Sequence, residues 1–540
     1  MPWRRKTYDE LPALSVRRHE LRRSLRLTTV AWMLGVVWMA CVMGSQVNLY
    51  ARMLGFSDFE FGVLGALPFV GTLGQLVAAV LIERTGLKKY QFLFCGTIHR
   101  LMWLAIAAVP LVLPIPSKLA VWTMLMMFVM SSFMAHLAST AWLTWMGDLI
   151  PRQVRGRYFA NRMLFTRPIL IAVAIAVGLV LDWASVPGAP VTGAAQPKLL
   201  WVLCGIFAVA ALFGVGDILV FHKVREVLPS LDEDRLLSAG IDGLRSAVRQ
   251  LVVEPLKNRV FVHYVCYGAT ITFALTCSAQ FIWRNALEYL EFSKLTTQIL
   301  LLVVSPIMGV VGVKTWGALV DRWGRRPVMI LSTFLAVLSI SPWLFAKPHM
   351  PAPAFVSDSI NAVLQAVGSV FGRSDWARVS ADMGLGTILI VLPAPLIGGI
   401  AGTGIGLAQM SVILGFADGH GRSKYMAAAA VMIGVGGMLG GLAGGVVAQV
   451  LRHLQQTPIE LGPLAWTNWH IVFLVSIVFR IASLLWLVNM PDPGSRPVRH
   501  LARVMGGHIS NAVVNRLFFP LRVFGWGRGG NRRQRRRTKE

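Results

Sequence analysis

The chain has 540 residues, of which 55% are hydrophobic and only 14% charged. That balance excludes an ordinary soluble protein of this length, whose surface would carry more charge. The net charge of +27 falls in loops between long apolar runs, which points to a membrane surface rather than to nucleic acid.

Residues 1–27 form a basic N-terminus with Arg4, Arg5, Lys6, Arg17, Arg18, Arg22, Arg23 and Arg26. No short apolar region with a small-residue cleavage site follows, so the first apolar run is expected to stay as a span. A span needs about 20 apolar residues. Twelve runs meet that need, and a helix is expected for each because lipid offers no partner for free backbone groups. The first six lie near 28–50, 59–82, 91–114, 119–146, 165–184 and 199–221. The second six lie near 259–283, 295–319, 327–346, 387–416, 425–451 and 468–489. The fold class is thus an all-α membrane protein of two six-helix bundles, 28–221 and 259–490. A cytoplasmic linker at 222–258 joins them, a long outer loop covers 347–386, and a basic tail covers 491–540. The loop's apolar spacing (Ile360, Val363, Leu364, Val367) suits a helix lying on the membrane.

With the N-terminus inside, the inner segments hold about 38 Lys and Arg and the outer loops about 9. Both termini are therefore expected in the cytoplasm, in a plasma membrane of bacterial inner-membrane type. The cysteines Cys41, Cys95, Cys204, Cys266 and Cys277 fall inside apolar runs without CxxC spacing, so neither a disulfide framework nor a metal site is expected.

The halves echo one another. "AVLIERTGLKKY" (79–90) follows span two and "GALVDRWGRRPV" (317–328) follows span eight. Superposing Gly86 on Gly324 puts Glu83 on Asp321, Arg84 on Arg322 and Lys88 on Arg326. "RGRYFA" (155–160) precedes span five and "RSKYMA" (422–427) precedes span eleven, which sets Arg155 on Arg422. Two echoes in one order indicate a duplication. In the second knot, arginines suit the carboxyl end of span eight. Asp321 sits at the unfavourable pole and needs a positive partner.

With these residues the chain resembles the major facilitator superfamily of secondary transporters. "GALVDRWGRR" matches that family's loop motif at Gly317, Leu319, Asp321, Arg322, Gly324, Arg325 and Arg326. The six-plus-six plan and "GDLIPRQVRGRYFANR" after span four also resemble it. The resemblance implies a cytoplasmic latch that breaks as the halves rock. In it Asp321 would face the start of span five and Arg325 would pair with Asp418. In the first half Glu83 would face the start of span eleven, and Lys88 or Arg84 would pair with Asp148. That half departs from the motif: Ala79 replaces the leading glycine, Glu83 the aspartate, and Leu87 the main arginine.

The resemblance also implies that spans one, four, seven and ten line a central cavity. Candidates there are Trp38, Gln46, His136, Tyr267, Thr270, Gln280 and Gln409, whose rings and polar groups suit a polar organic solute; each has an alternative use in packing or in bonding to its own helix. Charged groups inside a span are costly and deserve separate weighing. Arg100 lies roughly 14 Å into span three at about 1.5 Å per residue. It either meets an anionic substrate or pairs between helices. His136 either carries a proton or packs.

Asp and Glu are absent from the span centres, which gives carboxylate-based proton coupling no support. Span five lacks the GP-rich motif of the family's drug/proton antiporters, which weakens an export reading. In span eleven, Gly436, Gly440 and Gly444 share one face and Gly437, Gly441 and Gly445 another, as close helix packing requires. The tail ending "NRRQRRRTKE" suits anionic lipid. The expected function is secondary active or facilitative transport of a small polar or anionic organic solute by alternating access. No cofactor, metal, enzymatic activity or nucleic-acid partner is expected, and a monomer is the family expectation. A transporter-like lipid flippase, sensor or scaffold is the alternative.

Overall fold

The computed structural model describes residues 18–150, 152–186, 188–226, 255–359, 361–362, 384–415, 422–461, 464–488 and 490–491. Most of the linker, the expected surface helix of the long loop and the arginine-rich tail lie outside the described residues.

The first half contains α1 (Arg18–Val42), α2 (Ser45–Leu54), α3 (Asp58–Val70), α4 (Leu73–Thr85), α5 (Lys88–Val112), α6 (Lys118–Leu149), α7 (Arg152–Ala184) and α8 (Pro197–Phe221). The second half contains α9 (Arg259–Arg284), α10 (Lys294–Trp323), α11 (Arg325–Ile340), α12 (Leu385–Ile413), α13 (Arg422–Val450) and α14 (Asn468–Val488). Among the described residues, eleven helices are long and apolar enough to cross a membrane. The exception is the second expected span. It breaks between α3 and α4 at Gly71–Thr72, three residues after Pro68, so neither piece reaches spanning length. The first span breaks too, at Gly44, whose φ of 112° suits glycine alone.

Large apolar side chains such as Phe94 and Leu212 point outward, as they do where lipid is the solvent. The buried members of each hydrophobic cluster come from one half only. Each half therefore has its own core, and the seam between them is a different kind of contact. The two echoed turns share a geometry: Gly86 and Gly324 both adopt positive φ, 66° and 91°. An antiparallel hairpin absent from the sequence reading, β1 (Ile459–Leu461) with β2 (Leu464–Trp466), joins α13 to α14 with Ile459 opposite Trp466.

Two rims follow from the connections. Glu20, Lys89, Arg225, Arg326 and Val488 lie on the rim where the described chain begins and ends, here the terminal rim. Asp58, Arg284, Gln455 and Asn468 lie on the opposite, far rim.

Candidate functional site: a seam closed at one rim

The far rim begins with a capping box. Ser57 Oγ accepts from the backbone N–H of Glu60, and the Glu60 carboxylate accepts from the backbone N–H of Ser57 at 2.6 Å. Two free donors of α3 are thereby satisfied and its entry angle is fixed. Lys118 holds the other Glu60 oxygen at 2.7 Å.

That box delivers Asp58, the first residue of α3, into the seam. Arg284 of α9 donates to Asp58 Oδ1 through Nη1, and to Glu288 through Nε and Nη2 at 2.9 and 3.0 Å. Asn468 Nδ2 and Gln455 Nε2 donate to Asp58 Oδ2 at 3.2 and 3.4 Å. The guanidinium lies 4.4 Å from the Phe61 ring centre and 5.0 Å from that of Trp469. Arg52 approaches Glu288 at 3.8 Å. Asp58 and Arg284 are both 2% exposed at the side chain. Two cations and two anions thus balance, with hydrogen bonds on the remaining lone pairs, which is what a buried ionic cluster needs.

Below this cluster the backbones touch. A Cβ on Gly62 of α3 would fall 2.4 Å from the Gly445 Cα of α13, and one on Gly441 would fall 2.7 Å from the Ala66 nitrogen. The second face of α13 packs on α9 of its own half, with Gly436, Gly440 and Gly444 against the carbonyls of Ala269, Phe273 and Cys277. The two glycine faces read from the sequence therefore serve different partners: one holds a bundle together and the other closes the seam.

A second far-rim contact links α7 to α10. Asp182 accepts from the backbone N–H groups of Lys294 and Leu295 at 2.8 and 3.0 Å. A carboxylate of one half thus caps a helix of the other, where free donors and the helix dipole favour an anion. Gln298 Nε2 donates to Gln46 Oε1 at 2.6 Å beside the bend at Gly44.

The terminal rim differs. Lys88 meets Asp148 at 2.5 Å, both in the first half. Lys89 Nζ donates to the carbonyls of His222 and Val224 at 2.8 Å, again within that half. Asp321 and Arg322 are exposed at the end of α10, and space is open at Gly317. Arg325 opens α11, and Arg326 Nη2 donates to the Val488 carbonyl at 2.5 Å. The side chains of Glu83, Arg84, Arg155 and Arg422, and all of Asp418, lie outside the described residues. The ion pairs between described residues at this rim stay within one half.

The cavity candidates are not brought to one surface. Arg100 is neutralised by Asp217 of α8 at 2.9 Å and stacks 3.6 Å from the Trp38 ring centre. Tyr267 is fully buried against Thr333 at 2.7 Å. Thr270 donates to the Cys266 carbonyl of its own helix at 2.8 Å. His136 Nδ1 bonds the Ser132 carbonyl at 2.8 Å, beneath Gly71. Gln280 lies against Gly65 across the seam, and Gln46 belongs to the far-rim contact. Of the eight, Gln409 lines a partly open recess of about 360 Å³ in the second half, with Ser305, Ser339 and Arg480.

The sequence reading missed Asp58, Arg284 and Arg480. The first two sit at expected span ends, where charge is ordinary, and their meeting depends on a contact 226 positions apart. Arg480 carried the same signal as Arg100, an arginine well inside a span.

A sequence profile of the Major Facilitator Superfamily matches residues 27–372. The chain belongs to that superfamily. No curated protein matches the chain. Among solved structures it is similar to a D-xylose-proton symporter, at 12% identity and a TM-score of 0.57, covering 88% of this chain and 99% of that one. The inward open conformation of the xylose transporter XylE from E. coli gives 13% identity and a TM-score of 0.55, with 90% and 99% covered. The nucleoside transporter NupG gives 14% and 0.54, with 86% and 98% covered. At such identities the likeness is one of fold, and the chain is a multi-pass membrane protein of a transporter superfamily.

Proposed function

We propose that the chain is a secondary active or facilitative transporter moving a small polar or anionic organic solute by alternating access. The observation that carries this reading is the asymmetry of the seam. The halves are locked together at the far rim by a buried ionic cluster and by backbone contact. At the terminal rim the described ion pairs remain inside one half. The loop-charge bias favours a cytoplasmic terminal rim, and on this reading the state is the inward-open one. Asp321 and its neighbours then serve the opposite, outward-open state, in which the terminal rim closes.

The two locks use the same chemistry on opposite rims. At the far rim Asp182 caps α10 across the seam; at the terminal rim Asp321 would meet the start of α7. Such carboxylate caps stabilise by about 1 kcal/mol each, small enough to break and re-form in every cycle. The chain works as a monomer in a bacterial-type inner membrane, with its arginine-rich tail on anionic lipid.

Flux into liposomes holding the purified chain tests this reading. Uptake of at least one member of a panel of sugars, nucleosides, carboxylates and amino acids is expected, abolished when a cysteine pair crosslinks the far rim. Phospholipid scrambling without solute flux would favour a flippase, and neither activity in correctly folded protein would leave a sensor or scaffold.

A further inference from the structure

We propose that the recess in the second half is an anion site, in which Arg480 holds the charged group of a small organic solute and Gln409 donates to a polar atom elsewhere on it. The proposal rests on the transporter reading and names the solute's class.

Arg480 lies midway along α14, about 18 Å from its start at about 1.5 Å per residue, and is 3% exposed. All its acceptors are neutral. Nη1 donates to the Ala336 carbonyl and, at 3.4 Å, to Ser339 Oγ. Nε donates to Ser476 Oγ at 3.2 Å, and Nη2 to Ser278 Oγ at 3.4 Å. Bonds of 3.4 Å are weak. Among the described residues no carboxylate pairs with it.

The other buried arginines set the contrast. Arg100 has Asp217, and Arg284 has Asp58 and Glu288. Arg162 lies over the rings of Trp32 and Trp142. Arg480 has neither an acid nor a ring face among the described residues. The comparison between halves is sharper still. Arg100 and Asp217 join the third and sixth spans of the first half. In the second half those spans are α11 and α14; the cation is there, but a serine and a carbonyl of α11 stand where its acid would be. A buried charge left without its counterion is strongly destabilising. A ligand anion would remove that cost.

The recess supplies the space. Its volume of about 360 Å³ lies at the small end of ligand cavities, roughly 300–1,000 Å³. Gln409 Nε2 is buried on its wall with no hydrogen-bond partner. Both features are therefore donors: the uncompensated charge of Arg480 calls for a carboxylate or phosphonate, and Gln409 for a neutral acceptor on the body of the solute. Leu275, Ile340 and Trp343 complete the wall with apolar surface for an organic body. On α12, a Cβ at Gly402 or Gly406 would meet nothing within 4 Å, so the recess is open beside that helix.

The test is equilibrium binding to the full-length chain in lipid nanodiscs, read by thermal shift and by tryptophan fluorescence. The probes are the sodium salts of acetate, benzoate, succinate and methylphosphonate, each paired with its neutral amide or ester at constant ionic strength. At least one anion is expected to stabilise the protein while its neutral counterpart does not. Arg480→Gln is expected to weaken that anion tenfold or more, and Gln409→Leu severalfold. Gly406→Leu fills the recess without touching Arg480's hydrogen bonds and is expected to abolish binding; it decides the matter should Arg480→Gln fail to fold. No preference for any anion over its neutral counterpart overturns the proposal, as does binding that survives in Arg480→Gln or Gly406→Leu. Flux is read separately. Anion binding that needs Arg480, in a protein that moves no solute, would sink the transporter reading and keep the site. Flux confined to neutral solutes with no anion binding would do the reverse.

Discussion

Arg284 at the end of α9 and Asp58 at the start of α3 form an ion pair across the seam, with both side chains 2% exposed. Removing one partner of such a pair leaves the other buried and unpaired, at about 3–5 kcal/mol. Asp58→Asn and Arg284→Met are each expected to weaken the closed far rim by an amount in that range. The double variant Asp58→Asn/Arg284→Met is expected to lose much less than the sum. Cysteine accessibility at Gly65 and Gln280 checks this; additive losses would show that the two groups act independently.

Gly62 and Gly445 bring two backbones together where no side chain fits. Gly445→Leu is expected to hold the far rim apart and shift the population outward-open. Gly402→Val, whose added atoms enter open space, should leave the population unchanged. Accessibility of the same far-rim cysteines distinguishes the two variants, and equal responses would refute the role given to the close approach.

Asp182 caps α10 from the other half. Asp182→Ala removes an anionic cap, worth about 1 kcal/mol, so the ratio of closed to open far rim should fall about fivefold. Distance distributions from spin labels on either side of α7 and α10 provide the measurement. An unchanged ratio would confine Asp182 to a local role.

Asp321 is exposed in the state described, so Asp321→Asn should cost little stability here. Its effect is expected in the cycle: slower flux, in normally inserted protein, because the terminal rim closes less well. Normal flux in that variant removes Asp321 from the latch.

What the sequence made legible and what it hid divide along a physical line. Helix ends such as Arg259, Lys294, Asn468 and Val450 fall within a few residues of the expected spans, because hydropathy and lipid thickness set them. The turn glycines Gly86 and Gly324 and the two glycine faces of α13 were legible from spacing. Interruptions at Gly44 and Gly71 were not, since an apolar run looks the same whether its helix is whole or broken. Asp58 and Arg284 sit at span ends, where charge is ordinary; their meeting joins the two halves, which no local pattern encodes. The hairpin of Ile459–Leu461 and Leu464–Trp466 was passed over because its strands are only three residues each. Arg480 was legible on the same grounds as Arg100, and its importance became visible only against the neutral residues around it.

The rocking of the halves is tested most directly by paired spin labels on both rims of the chain in nanodiscs. Val186 with Ile459 reports the far rim and Tyr90 with Arg322 the terminal rim, all at exposed positions. On going from the native chain to Asp58→Asn, the far-rim distance should lengthen and the terminal-rim distance should shorten in the same fraction of molecules. A far rim that opens while the terminal rim stays as it was would contradict alternating access in this protein.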